Sequence, residues 1–196
     1  MSERHVQPIT PNVRSGDDAF TGVAHPRYFR PSHPRLLAGE HPAVADRLIT
    51  RQRVDFLLAK GVTLFVDLTN PRRENVCEYR SLLRSRAFDP STRPIHLSFP
   101  ISDGGVPSSI ETATAMLDAI DAGLSNGETV YLHCKAGIGR TGSIAALHLM
   151  RHGLTGSQAL RALARSWKRD PRSRVVHRCP ETSVQLSYVR NWPQGA

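Results

Sequence analysis

The stretch HCKAGIGRTG, residues 133–142, contains two motifs that predict different folds and different functions. Gly137, Gly139 and Gly142 spell G-x-G-x-x-G, the fingerprint of a dinucleotide-binding loop. Cys134 and Arg140 spell C-x5-R, which places a thiol at the start of a loop that can curl around a phosphate group. Both motifs require a strand before the loop and a helix after it, so the residues outside the stretch must distinguish them.

The dinucleotide alternative lacks the residue that binds the ribose. That residue is an Asp or Glu about 20 positions after the glycines. No carboxylate occurs between Glu128 and Asp170. The first βαβ unit of a dinucleotide domain also usually comes early, whereas this loop lies far along the chain. The sequence therefore favours the C-x5-R interpretation.

That interpretation gives most residues of the loop a chemical task. Backbone N–H groups would point inward, and together with the helix N-terminus and Arg140 they favour the thiolate of Cys134. Arg140 can bind two phosphate oxygens, and Thr141 can donate a hydrogen bond to the thiolate. The alternative is an inert core cysteine beside a turn. The predicted phosphate-binding positions are Lys135, Ala136, Gly137, Ile138, Gly139 and Arg140.

Length and composition indicate a globular protein. The chain has 196 residues, of which 39% are apolar, enough for one domain with a core. No apolar run approaches the ~18 residues of a membrane helix, and the first residues lack a secretory signal. Cys77, Cys134 and Cys179 form no disulfide framework, and neither they nor the nine histidines show metal-ligand spacing. We therefore predict a cytoplasmic protein without metal or cofactor, in which Cys77 and Cys179 are ordinary thiols.

The formal charge of +9 favours anionic partners, which are nucleic acid, acidic membranes or phosphorylated substrates. Arginine-rich composition also arises without functional meaning. No basic run or aromatic stacking platform accompanies the charge, so we expect no specific binding of nucleic acid.

Strand patterns alternate with helix patterns, which predicts an α/β fold with a central, mostly parallel sheet flanked by helices. Residues 1–33, rich in Pro, His, Arg and Gly, are assigned to an extended arm, and residues 34–196 to the catalytic domain. The predicted strands are 35–40, 62–69, 93–102 and 128–133. The predicted helices are 41–61, part of 71–86, 108–124, 141–150, 155–167 and one that begins at Pro180. Capping boxes are predicted for the pairs Ser108–Glu111 and Thr155–Gln158.

HCKAGIGRTG resembles the signature loop of the cysteine-dependent protein tyrosine phosphatase superfamily, in its dual-specificity branch. FPISDGGVPS (99–108) resembles the general-acid loop of that family, and VTLFVDLT (62–69) resembles the strand before its variable region. PETSVQLSYVRNW (180–192) resembles a helix that presents a glutamine to the active site in some members. The resemblance extends from about residue 35 to residue 192 and implies a dual-specificity phosphatase-like fold.

The resemblance also implies hydrolysis in two steps without a metal. Cys134 attacks phosphorus and forms a cysteinyl-phosphate, while Arg140 and the loop N–H groups hold the equatorial oxygens. Asp103 protonates the leaving oxygen and then activates the water. His133 supports the loop by hydrogen bonding. Gln185 either positions the water or is a surface amide on a terminal helix.

The expected substrate is a phosphorylated protein or peptide, with phosphotyrosine first and phosphoserine or phosphothreonine tolerated. The chain lacks the Trp-Pro-Asp loop and the phosphotyrosine-gripping loop of the large tyrosine-specific enzymes. Lys135 and Ala136 also occur in phosphatases for inositol phospholipids, which usually add a second basic residue where this chain has Ile138. A phosphoinositide phosphatase, an RNA 5′-phosphatase and a phospho-binding module without catalysis remain as alternatives.

Overall fold

Strands and helices alternate along the computed structural model, which describes residues 26–74, 78–85 and 93–193. The strands are β1 (Tyr28–Phe29), β2 (Leu36–Gly39), β3 (Val62–Asp67), β4 (Ile95–Ser98) and β5 (Thr129–His133). The helices are α1 (Arg47–Ala59), α2 (Arg80–Ser85), α3 (Ile110–Ser125), α4 (Gly139–Arg151), α5 (Gly156–Trp167) and α6 (Ser183–Arg190). A short 3-10 helix, Pro171–Arg174, lies between α5 and α6.

The five strands form one sheet in the order β1-β2-β5-β3-β4. Strands β2, β5, β3 and β4 are parallel, and β1 adds to the edge in the antiparallel direction. The predicted α/β fold with a mostly parallel central sheet is therefore confirmed. Strand β1 was not predicted, because two residues carry no periodicity; it lies in the segment assigned to the arm, of which residues 1–25 fall outside the described part.

Helices cover both faces of the sheet. Alternate side chains of each inner strand enter opposite cores, as Leu36 and Leu37 of β2 do. One core packs against α3, α4, α5 and α6, and the other packs against α1 and α2. Burial on both faces explains why these strands read as nearly continuous apolar runs.

Helix α1 starts later than the pattern predicted but ends where Gly61 predicted. Asp46 is its N-cap and accepts hydrogen bonds from the N–H groups of Leu48 and Ile49, so residues 41–45 form a loop. Gly61 has a φ of 81°, the left-handed conformation that glycine adopts without strain.

Three of the other predicted helix starts were wrong by one to three residues, and among them α4 begins at Gly139 rather than Thr141. Ser109, not Ser108, caps α3 by accepting from the N–H of Thr112, so the predicted capping box is absent there. The capping box at Thr155 and Gln158 is confirmed. Helix α6 begins at Ser183 rather than Pro180, because Thr182 and Gln185 form a second capping box that has the same sequence signature.

The parallel strands end together at one edge of the sheet. Gly39 of β2 and Asp67 of β3 both lie in register with His133 of β5, and Ser98 of β4 lies in register with Asp67. The four loops that follow these strands therefore meet at the same edge, which is where parallel α/β sheets bind ligands. Among the described residues, no helix is long and apolar enough to cross a membrane.

Candidate active site

The loop between β5 and α4 spans residues 134–138 and lies at the centre of this edge. Helix α4 begins at Gly139, and no side chain among the described residues caps its first N–H groups. Uncapped N–H groups at a helix N-terminus form a favourable site for an anion. Cys134 stands at the start of the loop and Arg140 in the first turn of the helix, and both side chains are buried.

The carbonyl oxygens of the loop are bonded to groups outside it. The N–H of His41 donates to the carbonyl of Lys135 at 3.0 Å, and Arg172 Nη1 donates to the carbonyl of Ala136 at 2.6 Å. The carbonyl of Ile138 accepts from Cys179 Sγ at 3.2 Å. The Ile138 carbonyl also accepts from the N–H of Gly142 in α4. Because the carbonyls of Lys135, Ala136 and Ile138 are held by groups outside the loop or by the helix, the N–H bonds of those peptide groups are directed to the opposite side, toward the centre of the loop.

Each glycine of the G-x-G-x-x-G motif has a packing reason to be glycine. Gly137 has a φ of 71°, and a Cβ there would lie 2.2 Å from the carbonyl carbon of Gly39. A Cβ on Gly139 would lie 2.7 Å from Gln185 Oε1, and one on Gly142 would lie 2.5 Å from Cys179 Sγ. The glycines therefore serve close contacts within the protein, as the C-x5-R interpretation requires.

Arg140 is the centre of the charged part of the site. Its Nη1 and Nη2 atoms donate to the two oxygens of Glu74, at 2.5 and 2.8 Å. Nη2 also donates to Asp103 Oδ1 at 2.8 Å, and Nη1 donates to the carbonyl of Ile101 at 3.0 Å. Burial lowers the pKa of Arg140, but its hydrogen bonds to Glu74 and the negative charges of Cys134, Glu74 and Asp103 outweigh burial and raise the pKa above its usual value, so the guanidinium stays charged.

Glu74 is a site residue that the sequence analysis missed. Its side chain is 7% exposed, and Oε1 also accepts from the N–H of Asn70 at 2.7 Å. Burial raises the pKa of Glu74, but the contacts with Arg140 and Asn70 outweigh it and hold the pKa below its usual value. In the sequence, Glu74 is one charged residue in a run of several, and nothing local distinguishes it.

Asp103 lies on the rim of the site, where 74% of its side chain is exposed and one carboxylate oxygen contacts Arg140. The N-terminus of α6 holds the loop that carries it. Gln185 Nε2 donates to the carbonyl of Gly105 at 3.0 Å, and Thr182 Oγ1 donates to that of Gly104 at 3.1 Å. The surface-amide alternative for Gln185 was wrong, because this side chain is fully buried and packs against Gly139.

His133 and Thr141 flank the loop on its buried side. His133 Nε2 lies 2.6 Å from the hydroxyl of Tyr79, and its ring stacks on Tyr131. Burial lowers the pKa of His133 to about 3, so its ring is neutral. Thr141 is also fully buried, but its hydroxyl makes no hydrogen bond within the described residues, so the expected bond to Cys134 is not formed.

Arg172 is the second site residue that the sequence did not single out. Its guanidinium lies over the ring of Trp167, with 5.1 Å from Cζ to the ring centroid, and Nη2 donates to Asp170 Oδ2 at 2.7 Å. Glu40 Oε2 lies 3.6 Å from Nη1. These contacts fix the side chain whose Nη1 atom holds the carbonyl of Ala136.

The remaining predicted residues fall into three groups. Lys135 and Ala136 are exposed at the loop, whereas Ile138 is buried. Cys179 is buried beneath Gly142, and burial raises the pKa of its thiol, which fits the prediction of an ordinary thiol. Cys77 lies outside the described residues.

Comparisons with known proteins agree with this arrangement. A family model described as "Polymorphic toxin system, DSP-PTPase phosphatase" matches residues 44–154. The protein 067L of Invertebrate iridescent virus 3, which carries the name of a tyrosine phosphatase, is 36% identical over 114 residues, or 54% of this chain and 43% of its own length. The chain thus spans less than half the length of this curated relative.

Solved structures share the fold. Tk-PTP in its active form aligns with a TM-score of 0.59 and 22% identity, over 82% of this chain and 95% of that one. PTPMT1 in complex with PI(5)P aligns with a TM-score of 0.60 and 18% identity, over 83% and 92%. Since the family model covers more than half of the sequence and includes the whole loop from Cys134 to Arg140, the chain belongs to the DSP-PTPase phosphatases of polymorphic toxin systems.

Proposed function

We propose that the chain hydrolyses phosphate monoesters by nucleophilic catalysis at Cys134, and that its substrate is a phosphorylated protein, phosphotyrosine first. The observation that carries this proposal is the set of outward-bonded carbonyls beside Cys134, with the buried Arg140 next to them and Asp103 at the rim. This arrangement supplies a nucleophile, inward N–H donors, a cation and a carboxyl group. These are the groups that phosphate monoester hydrolysis requires.

In the first step the sulfur of Cys134 attacks phosphorus, and the bond from phosphorus to the leaving oxygen breaks. The loop N–H groups of residues 135–139 and Arg140 bind the three equatorial oxygens as charge shifts onto them. Four hydrogen bonds occupy Nη1 and Nη2 of Arg140, and Nε has no partner among the described residues. Two donors of Arg140 can therefore bind phosphate oxygens: Nε, and the Nη2 hydrogen that faces Asp103 in this structure.

Asp103 supplies the proton to the leaving oxygen. Its side chain is exposed and has one contact with Arg140, so it can move to the leaving group when phosphate oxygens replace it on the guanidinium. Glu74 makes two contacts and is buried, so it stays and keeps the guanidinium plane in place. In the second step Asp103 accepts a proton from the water that cleaves the bond between sulfur and phosphorus.

Three residues assist these steps. The Thr141 hydroxyl, which makes no other hydrogen bond within the described residues, can donate to the sulfur of Cys134 as it leaves. His133 supports the start of the loop through Tyr79. Gln185 holds the acid loop and lies beside Gly139, where it can contact the water of the second step.

The substrate pocket is bounded by short segments. Gly39 and Glu40 adjoin Gly137, Glu74 follows β3, and Asp103 follows β4. A shallow pocket of this kind accepts phosphotyrosine and also shorter phosphoserine or phosphothreonine. The name of the viral relative 067L supports the protein substrate. The complete reactive set of Cys134, Arg140 and Asp103 argues against a phospho-binding module without catalysis.

A phosphoinositide is the second candidate substrate. Lys135 is exposed on the loop, one residue after Cys134, where its charge could favour a more anionic substrate. A fold neighbour, PTPMT1, is described with PI(5)P bound. An RNA 5′-phosphatase has only the net charge of +9 in its favour. We further propose residues 34–196 as the catalytic domain, extended by β1 (Tyr28–Phe29), which pairs with β2 in the same sheet. The proposed location is the cytoplasm, which keeps thiols reduced.

Replacing Cys134 with Ser is expected to abolish turnover of a phosphotyrosine analogue, because a neutral hydroxyl is a far weaker nucleophile than a thiolate. Binding of the substrate should remain, since the N–H groups and Arg140 are unchanged. Turnover is measured by phosphate release and binding by calorimetry, with wild type treated with EDTA as the control. Full activity in the variant would contradict a thiolate mechanism, and so would loss of wild-type activity with EDTA at a temperature where the chain stays folded.

Asp103→Asn is expected to slow hydrolysis of aryl phosphates by ~10²-fold or more, because the amide cannot donate the proton. The loss should be largest for poor leaving groups, which need protonation most. A series of aryl phosphates of increasing phenol pKa measures this dependence. Asp118→Asn, an exposed carboxylate on α3, is the matched control. If log kcat/KM falls with phenol pKa at the same slope in Asp103→Asn and in wild type, the general acid is another residue.

Arg172→Met is expected to lower kcat/KM by ~10²-fold, the usual cost of misplacing a catalytic group by about 1 Å. Methionine keeps an apolar stem over Trp167 but removes the donor to the carbonyl of Ala136. The inhibition constant of inorganic phosphate should rise as well. Arg174→Met, exposed in the same 3-10 helix, is the control. Matching kinetics for the two variants would show that Arg172 does not hold the loop.

The choice of substrate is tested by kcat/KM for a phosphotyrosine peptide and for a soluble phosphoinositide. We expect the peptide to be preferred, and Lys135→Ala to change its rate little, because one exposed lysine contributes weakly in water. Lys60→Ala, far from the loop on the end of α1, is the control. A phosphoinositide preference above tenfold that disappears with Lys135→Ala would replace the protein substrate with the lipid one.

A further inference from the structure

A cluster of imidazole and carboxylate groups lies at the end of α4 farthest from the phosphate loop. His148 Nε2 and His152 Nε2 each lie 3.0 Å from the same atom, Oδ1 of Asp121 on α3. Helix α4 rises ~1.5 Å per residue, so His152 is separated from Gly139 by ~20 Å along the helix axis. The cluster is therefore distinct from the active site.

These three atoms match the ligands of a tetrahedral metal site. His148 and His152 are one helical turn apart, which places both rings on one side of α4. All three ligand atoms lie within 4.8 Å of one another. Zinc binds imidazole nitrogen at ~2.0–2.1 Å and carboxylate oxygen at ~2.0–2.2 Å, so its ligands lie a little over 3 Å apart.

The second ring nitrogen of His148 is hydrogen-bonded, as it usually is in a histidine that binds a metal. Its Nδ1 lies 2.9 Å from the hydroxyl of Ser32, so the ring orientation is fixed and Nε2 is directed to Asp121. His148 is buried, whereas His152 is 44% exposed and leaves the cluster open to solvent. Arg151 contacts the other oxygen of Asp121 at 3.3 Å and has Asp118 as a closer partner at 2.6 Å, so Oδ1 is left to the histidines.

We propose that Asp121, His148 and His152 form a binding site for a divalent transition-metal ion, with zinc the best match to two imidazoles and one carboxylate. Solvent would complete the coordination on the side of His152. The bound ion would link α3 to the end of α4 and stabilise their packing. The expectation of no ligand spacing among the histidines left out the i, i+4 pair His148 and His152, whose proposed third ligand comes from a different helix.

The test is a zinc titration of the full chain carrying Cys134→Ser, since the active-site thiolate is itself a potential metal ligand. We expect one zinc ion per chain and a higher Tm with zinc than without it. His152→Ala in the same background should weaken zinc binding at least tenfold and remove the shift in Tm. His177→Ala, an exposed histidine away from the cluster, should leave both unchanged. Mg²⁺, which prefers all-oxygen ligands, should not bind.

Cobalt in place of zinc identifies the ligands by absorption. We expect the bands of tetrahedral cobalt without a sulfur-to-cobalt charge-transfer band, and both Asp121→Asn and Ser32→Ala should reduce the affinity. Three results would overturn the proposal: no zinc bound, zinc binding unchanged by His152→Ala, or a thiolate band that assigns the metal to Cys77 or Cys179. Unchanged binding in His152→Ala would direct attention to the buried group of His41, Asp67 and His133 instead.

Discussion

The outward hydrogen bonding of the loop carbonyls is the constraint on which the site depends. A five-residue loop has no regular structure of its own, and its peptide groups can turn either way. Here one carbonyl each is held by the N–H of His41 in the β2–α1 loop, the guanidinium of Arg172 after α5 and the thiol of Cys179 before α6. Three remote parts of the chain thus hold the carbonyls of the loop, and the proposed anion site depends on their folding around it.

The charge of the site is balanced locally and not by the overall excess of +9. Arg140 faces two carboxylates of different character. Glu74 is buried and makes two parallel contacts, which fix the plane of the guanidinium. Asp103 is exposed and makes one. The difference in burial separates a carboxylate that orients the cation from one that can exchange with substrate.

Most of the strands and helices, and the candidate reactive residues, could be proposed from the sequence because both have local signatures. The strands are apolar runs, and Cys134 and Arg140 stand at fixed spacing beside glycines. Glu74 and Arg172 escaped prediction because their roles exist only in three dimensions: one reaches Arg140 across 66 residues and the other reaches Ala136 across 36. The start of α6 was missed for a different reason. Thr182 and Gln185 carried the capping signature, but Pro180 was preferred as the helix start.

The capping box of α6 performs two tasks with one amide group. Oε1 of Gln185 accepts from the N–H groups of Glu181 and Thr182, which closes the first turn of the helix, and Nε2 donates to the carbonyl of Gly105. The amide therefore has only one usable orientation, since a flipped group would set donor against donor and acceptor against acceptor. Fraying of this single turn would release the loop that carries Asp103, so the freedom of that side chain to move depends on the stability of a helix end outside its own loop.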